Sequence, residues 1–334
     1  MRAERESRVS APVQDLTAKK SETRRNFTGS RLLEPGAAAD LKRRADLLRQ
    51  DLGSIQDRIV LNPFLEIGGG SGVRSLALTG GFKAQGVLTD ISQNSLRNAP
   101  YAAIVLQTGA IPRRICCDAH FLPFLPDTFA FVFAYRTLHH SSNLVPVVAE
   151  CYRVLACEGH FFFNDEPLDS PLRRFLRGGR RLSIPPTKPQ RIAARLGMQK
   201  VFWDDGAWEV SVGITEARFN RWLWLRALAP FERVELTVNR KLRLHTNLRT
   251  PLLTAWLAGW VGGNVRGLCQ KLSGKPVVSS FDQRLMCLDC GASSLAQQPD
   301  GSLRCGACAR QYPHTEGITR MLPLEIENAL YGET

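Results

Sequence analysis

Apolar positions along this chain follow two rhythms. Phe64–Ile67, Ala84–Leu88, Thr128–Tyr135 and Gly159–Phe163 are near-continuous apolar runs of strand length, the pattern of strands buried on both faces of a parallel sheet. Ala37 to Arg58 has helical spacing through Leu41, Leu47, Leu48, Leu52 and Ile55, and Asn143 to Leu155 repeats that period. Further along, Phe231 to Val238 alternates as a strand should, and Thr215 to Leu228 reads as a helix. Buried strands alternating with helices predict an α/β fold with a parallel sheet.

The first run leads into Gly68-Gly69-Gly70-Ser71-Gly72. Glycines at 68, 70 and 72 permit positive φ and let a ligand lie against bare backbone, while the N–H groups of the helix start that follows point at its polar groups. The spacing narrows the ligand. A dinucleotide fingerprint needs its third glycine at 73, where the chain has Val73, and a phosphate-cradling loop needs Gly-Lys-Ser/Thr, which is missing.

The motif E-x-G-x-G-x-G, from Glu66 to Gly72, resembles the first motif of class I S-adenosylmethionine (SAM)-dependent methyltransferases. The resemblance extends in order over residues 60 to 167, to the type 11 grouping of that family. It implies a Rossmann-like, doubly wound α/β fold with a seven-stranded sheet. Glu66, Gly68, Gly70 and Gly72 then correspond to the floor under the amino acid end of SAM. Asp90, closing a short strand roughly 20 residues after the glycines, corresponds to the carboxylate that accepts the ribose hydroxyls. Asp118 and Ala119 correspond to the adenine contacts. Taken singly, Asp90 and Asp118 also suit helix caps or solvated loops; their order and spacing point to the cofactor. Ala130 departs from the family, which usually has Asp there.

Composition brings in partners. The 334 residues carry a formal net charge of +13. A basic cluster from Arg173 to Arg195 follows the Gly159 strand, so RNA or an anionic membrane surface joins the candidate partners. All six tryptophans fall between Trp203 and Trp260, with Trp222 and Trp224 on one candidate helix where they cannot share a face. The charged opening, Met1-Arg2-Ala3-Glu4-Arg5-Glu6, and the lack of a run long enough to span a bilayer set an expectation of cytoplasmic residence, peripheral to the inner membrane face if the basic region meets lipid. The expected organisation is a disordered basic tail over 1–30, an N-terminal helix over 31–57, a methyltransferase domain over 58–250 with a basic, Trp-rich substrate region at 168–230, a helical connector over 251–283 and a small module over 284–326.

That module holds two C-x-x-C knuckles, Cys287/Cys290 and Cys305/Cys308. Each knuckle presents two thiolates to one side, and two knuckles complete a closed tetrahedron around a structural Zn²⁺; disulfides are the competing explanation. The pattern through Tyr312, Pro313, Gly317 and Ile318 resembles the small zinc-ribbon activator family of methyltransferases, with Leu288 and Thr319 where that family usually has proline. The resemblance implies a ribbon that packs in cis on the methyltransferase domain, as free-standing relatives cover a strand edge of their partner. The remaining cysteines have no ligand spacing.

These features predict SAM-dependent transfer of a methyl group to a small-molecule, glycan or lipid-linked acceptor, with O-methylation favoured. Arg136-Thr137-Leu138-His139-His140 occupies the place where amino-group methylation commonly uses Asp/Asn-Pro-Pro-Tyr/Phe, which disfavours nucleic-acid and glutamine N-methylation. His140 is the first candidate for a base or substrate contact, with His139, Asp165 and Glu166 as alternatives. An RNA methyltransferase with a built-in activator module, and a non-catalytic partner-binding subunit of the same fold, are the competing readings.

Overall fold

The computed structural model describes residues 36–141, 143–169, 217, 219–239, 246–247, 263–277 and 281–332. Its organising element is one ten-stranded sheet of order β12-β13-β3-β2-β1-β4-β5-β8-β6-β7. The strands are β1 (Phe64–Ile67), β2 (Gly86–Asp90), β3 (Arg113–Cys116), β4 (Phe129–Tyr135), β5 (Leu155–Leu168), β6 (Arg233–Asn239), β7 (Thr246–Asn247), β8 (Gly263–Gln270), β12 (His314–Thr315) and β13 (Ile318–Arg320). β1 pairs in parallel with β2 on one side and β4 on the other, and the parallel run continues to β3 and β5. The strand order therefore reverses at β1, and the crevice above the carboxyl ends of β1 and β4 is where such sheets bind ligands.

The apolar runs predicted as buried strands are buried. Every residue of β1 and β4 is inaccessible or nearly so. Helices cover both faces. α1 (Ala37–Gly53), α2 (Val73–Gly81) and α4 (Ala99–Leu106) share one apolar cluster with Phe64, Phe131, Phe133 and Phe162, while α5 (Leu144–Val154) packs with Val132, Phe161 and Phe163 on the other side. A short α3 (Gln93–Leu96) follows β2. In α1 the buried stripe is Leu41, Ala45, Leu48 and Leu52; Leu47, expected on that stripe, is 43% exposed because it sits about 100° around the helix from Leu48. Asn143 caps α5, its side chain accepting the Val145 N–H.

The expected organisation needs correction in three places. The span 251–283 is not a helical connector where it is described: Gly263–Gln270 is β8, antiparallel to both β5 and β6, so the main sheet runs past residue 250. Backbone pairing along both of its edges holds this segment as a strand. The sheet has ten strands, because β12–β13 and β7 extend the predicted seven at either edge. The C-terminal module also continues beyond 326 into α7 (Leu324–Tyr331). The tail over 1–30 and the Arg173–Arg195 cluster lie outside the described residues, as do Trp203, Trp208, Trp256 and Trp260. The described helix in the Trp-rich region is α6 (Arg221–Ala227), on which Trp224 is buried, stacked 4.9 Å from Phe163, and Trp222 is exposed. Among the described residues no helix is long and apolar enough to cross a membrane.

Candidate active site

β1 delivers its backbone to the glycine turn at the crevice. Gly68, Gly70 and Gly72 have φ of 59°, 58° and 71°, the left-handed region that a side chain disfavours. A Cβ on Gly68 would stand 2.1 Å from Thr137 Cγ2 and one on Gly72 2.4 Å from Leu88 Cδ2, so a side chain at either position would also have to displace a packed neighbour. A Cβ on Gly70 would meet nothing within 4 Å, so open space begins above the turn at that point. Glu66 is buried beneath it, and its Oε2 accepts from the backbone N–H of Ser75 at 3.1 Å and from the Ser75 hydroxyl. Burial lifts the Glu66 carboxyl to about 7, against the pull of Ser75 and the Arg74 guanidinium.

Asp90 ends β2 with both carboxylate oxygens engaged. Oδ2 accepts the Gly70 N–H and Oδ1 the Ser92 N–H, each at 2.8 Å. The carboxylate thus fixes the glycine turn to the neighbouring strand end, and a carboxylate has further lone-pair sites for a ligand. Asp118 is buried beyond β3. Its Oδ1 accepts the His120 N–H at 3.0 Å and lies 2.7 Å from His120 Nδ1, whose Nε2 is 3.0 Å from the Ser141 hydroxyl. Ala119 lies between them, half-buried. The structure brings Glu66, the glycines and Asp90 into one connected unit, and ties Asp118 to the loop after β4 through a serine and a histidine that the sequence did not single out.

The four catalytic candidates separate. Glu166 is wholly buried, accepting the N–H groups of Thr137 (2.8 Å), Leu138 (3.1 Å) and His139 (3.2 Å) and facing His139 Nδ1 at 2.7 Å. Burial raises its carboxyl, but the imidazole and these donors outweigh burial and hold it below the ordinary value. Glu166 and buried His139 therefore shape the turn after β4. His140 is half-buried beside them, its ring centroid 4.2 Å from that of His139. Asp165 stands at the irregularity within β5, between the paired residues Phe163 and Glu166, in a left-handed conformation, φ 63°, bonded by Asn264 and 3.5 Å from Arg136, itself at φ 50° just after β4. Burial raises the Asp165 carboxyl while Arg136 opposes it. Two non-glycine residues thus hold left-handed backbone side by side, one just after β4 and one at the β5 irregularity, a locally strained arrangement.

With this geometry in place, the comparison with known families is direct: residues 65–163 match the methyltransferase domain family. The chain carries a methyltransferase domain. A curated relative, the mitochondrial arginine-hydroxylase NDUFAF5 of Danio rerio, is 32% identical over 123 residues, 35% of this chain and 36% of that protein. The chain thus spans little more than a third of the length of that relative. Among solved structures, a Haloferax volcanii complex containing the Trm112 methyltransferase activator is similar with 14% identity and a TM-score of 0.44, covering 75% of this chain and 99% of that one. Geranyl diphosphate methyltransferase in complex with GPP and sinefungin is similar with 17% identity and a TM-score of 0.43, covering 71% and 84%.

The methyltransferase domain carries its own metal-type module. The Sγ atoms of Cys287, Cys290, Cys305 and Cys308 all lie within 4.8 Å of one another, with Cys287 to Cys308 at 3.6 Å and Cys290 to Cys305 at 3.5 Å. These separations exceed a disulfide bond and suit four thiolates around one Zn²⁺, where about 3.8 Å between sulfurs follows from Zn–S near 2.3 Å. The Tyr312 hydroxyl accepts the Leu288 N–H at 2.7 Å and lies 3.3 Å from Cys287 Sγ, a partner for that ligand from outside the coordination shell. A three-stranded sheet of β9 (Leu295–Gln297), β10 (Leu303–Cys305) and β11 (Gln311–Tyr312) frames the site, with a turn through Pro299–Ser302 between β9 and β10.

The module is joined to the methyltransferase domain by backbone and core. β13 pairs in parallel with β3, matching Ile318, Thr319 and Arg320 to Arg114, Ile115 and Cys116. Leu285, Leu303, Tyr312 and Met321 enter the same apolar cluster as Phe124 and Phe129. A polar chain then runs toward the ligand crevice: Asp289 to Arg310 at 2.9 Å, Arg310 to Glu327, Glu327 to Arg320 at 2.9 Å and Arg320 to Gln93 Oε1 at 3.2 Å. Gln93 lies three residues after Asp90.

Proposed function

We propose that this chain is a SAM-dependent methyltransferase acting on a small-molecule, glycan or lipid-linked acceptor, with an oxygen nucleophile. The observation that carries the reading is Asp90, whose carboxylate pins the glycine turn at Gly70 directly below open space. In this reading Glu66, Gly68, Gly70 and Gly72 hold the amino acid end of SAM, Asp90 the ribose, and Asp118 with Ala119 the adenine. Bound SAM supplies an electrophilic sulfonium methyl. The protein's work is then to align the acceptor and to receive its proton.

His140 and Asp165 are the proton acceptors this reading favours. His139 and Glu166 are committed to each other and to backbone N–H groups, so their service is to hold the turn that presents His140. The four cysteines would hold a structural Zn²⁺ with no open position for chemistry.

A second reading comes from the arginine-hydroxylase name of the 32% identical relative: hydroxylation of an acceptor in the same crevice, one oxygen atom of O2 entering the acceptor and the other leaving as water with two electrons from an external reductant. The basic character of the chain, +13 overall, keeps RNA among the acceptors. Incubating the protein with methyl-labelled SAM and host extract, then fractionating by label and by mass, decides among them. A labelled small molecule, glycan or lipid supports the proposal; labelled RNA supports the RNA reading; a gain of one oxygen without label supports hydroxylation.

A further inference from the structure

A cleft of about 540 Å³ is lined jointly by the ribbon's three-stranded sheet and by β3, β12 and β13 of the main sheet, a volume in the range of ligand sites. The main sheet contributes Arg113, Arg114 and His314, and β9 contributes Leu295 and Gln297. Neither the methyl-transfer crevice nor the four-cysteine site uses it.

Its charge is one-sided, for no Asp or Glu is among the lining residues. The Arg114 guanidinium donates to the carbonyls of Glu316 at 2.7 Å and Leu96 at 3.3 Å, which orient it without neutralising it. Gly317 also lines the cleft, and a Cβ there would lie 2.4 Å from Arg114 Nη2, so bare backbone leaves room for that nitrogen at the cleft wall. Glu316, the acid whose field reaches Arg114, pairs with Arg97 at 2.8 Å, and Asp300 accepts from the N–H and hydroxyl of Ser302. Half-buried Leu295 and buried Leu303 supply apolar surface, while Gln283 and Gln297 carry amides at exposed positions.

Guanidinium forks suit phosphate oxygens, apolar surface takes the face of a base, and side-chain amides bond base edges and a ribose 2′-hydroxyl. A base reaches such a surface only out of its stack, which selects a single strand. We propose that this cleft binds single-stranded RNA, with phosphates at Arg113 and Arg114 and a base against Leu295 and Leu303. The net charge of +13 acts in the same sense, drawing a polyanion to the chain. The site holds its strand independently of which acceptor the crevice methylates.

The test is fluorescence anisotropy on the full-length protein with a short labelled oligouridylate, the matching oligothymidylate, and polyglutamate as competitor. Wild type is expected to bind the oligouridylate with an affinity that falls steeply with salt. Gln297→Glu sets a carboxylate at an exposed position of the cleft and is expected to weaken that binding about fivefold or more; Arg113→Gln is expected to weaken it about threefold and to lower the salt slope by about 1. Both variants are expected to keep the melting temperature of wild type and its affinity for S-adenosylhomocysteine, the demethylated product of SAM. Oligouridylate binding that is absent, or equal in wild type and both variants, would overturn the proposal, the second result placing RNA elsewhere on the chain. Equal affinity for oligothymidylate, or displacement by polyglutamate at matched charge, would also overturn it, the latter in favour of an acidic peptide. Weakening of S-adenosylhomocysteine in step with RNA would mark a change through the whole domain and overturn it as well. Wild type that binds oligouridylate but not S-adenosylhomocysteine would instead overturn the SAM reading and leave the RNA cleft standing.

Discussion

The hydroxyl of Tyr331 donates to the carbonyl of Ile91 at 2.7 Å, joining the last helix of the chain to the residue directly after Asp90. The same oxygen accepts the Gln93 N–H at 3.2 Å, and Arg320 lies 4.6 Å over the ring. The loop that follows Asp90 is therefore held from the C-terminal module. Tyr331→Phe keeps the ring and removes these hydrogen bonds together with the 3.5 Å contact to Cys116 Sγ, so it is expected to cost about 1 kcal/mol of stability. It is also expected to weaken S-adenosylhomocysteine a few-fold. Calorimetry beside thermal melting checks both, and unchanged affinity would show that the loop keeps its shape without the phenol.

Removing the metal should be felt well beyond the ribbon. β13 is paired into the main sheet between β12 and β3, and Leu303, Cys305 and Tyr312 sit in the main core. Chelation, or Cys305→Ser, is expected to lower the melting temperature of the whole protein and to release close to one zinc per chain. A melting curve indifferent to both treatments would contradict a structural metal.

Acid should act through Glu166. Its carboxyl is held below the ordinary 4.5, so the stability it contributes is present above that pH and is lost as pH falls through the lower folded value. Glu166→Ala leaves His139 and three backbone N–H groups facing a void, and is expected to cost about 3 kcal/mol or more at pH 7. Urea midpoints from pH 7 down to pH 3 should show wild type losing its advantage over the variant as the solution becomes acidic.

The glycines of the turn can be told apart by substitution. Gly70→Ala puts a methyl into open space at φ 58°, at a cost of about 1 kcal/mol from the left-handed backbone, and is expected to abolish cofactor binding. Gly68→Ala collides with Thr137 and is expected to lose stability as well as binding. Melting and S-adenosylhomocysteine titration of the pair separate floor from frame; full binding by Gly70→Ala would mean that no ligand crosses the turn there.

Local signals in the sequence were sufficient for much of this arrangement. β1, β2 and β4 are apolar runs because both faces are buried, and the glycine turn and Asp90 are tied by spacing within one βαβ unit. The knuckles announce themselves because each supplies its two thiolates from a four-residue segment. β8 was hidden: Arg266 and Gly267 interrupt its alternation, and its place between β5 and β6 is a property of the whole sheet. The roles of His139 and Glu166 were equally hidden, since their contact spans 27 positions and the two residues read alike as base candidates until burial is known. Arg74 and Tyr331 carry no motif; only packing places one over Tyr135 and the other against Ile91.

The most direct test of the central claim is calorimetric titration of wild type and Asp90→Ala with S-adenosylhomocysteine. The account predicts binding in the micromolar range by wild type and its loss in Asp90→Ala. A wild-type protein with no measurable heat of binding, or an Asp90→Ala variant that binds as tightly as wild type, would contradict it.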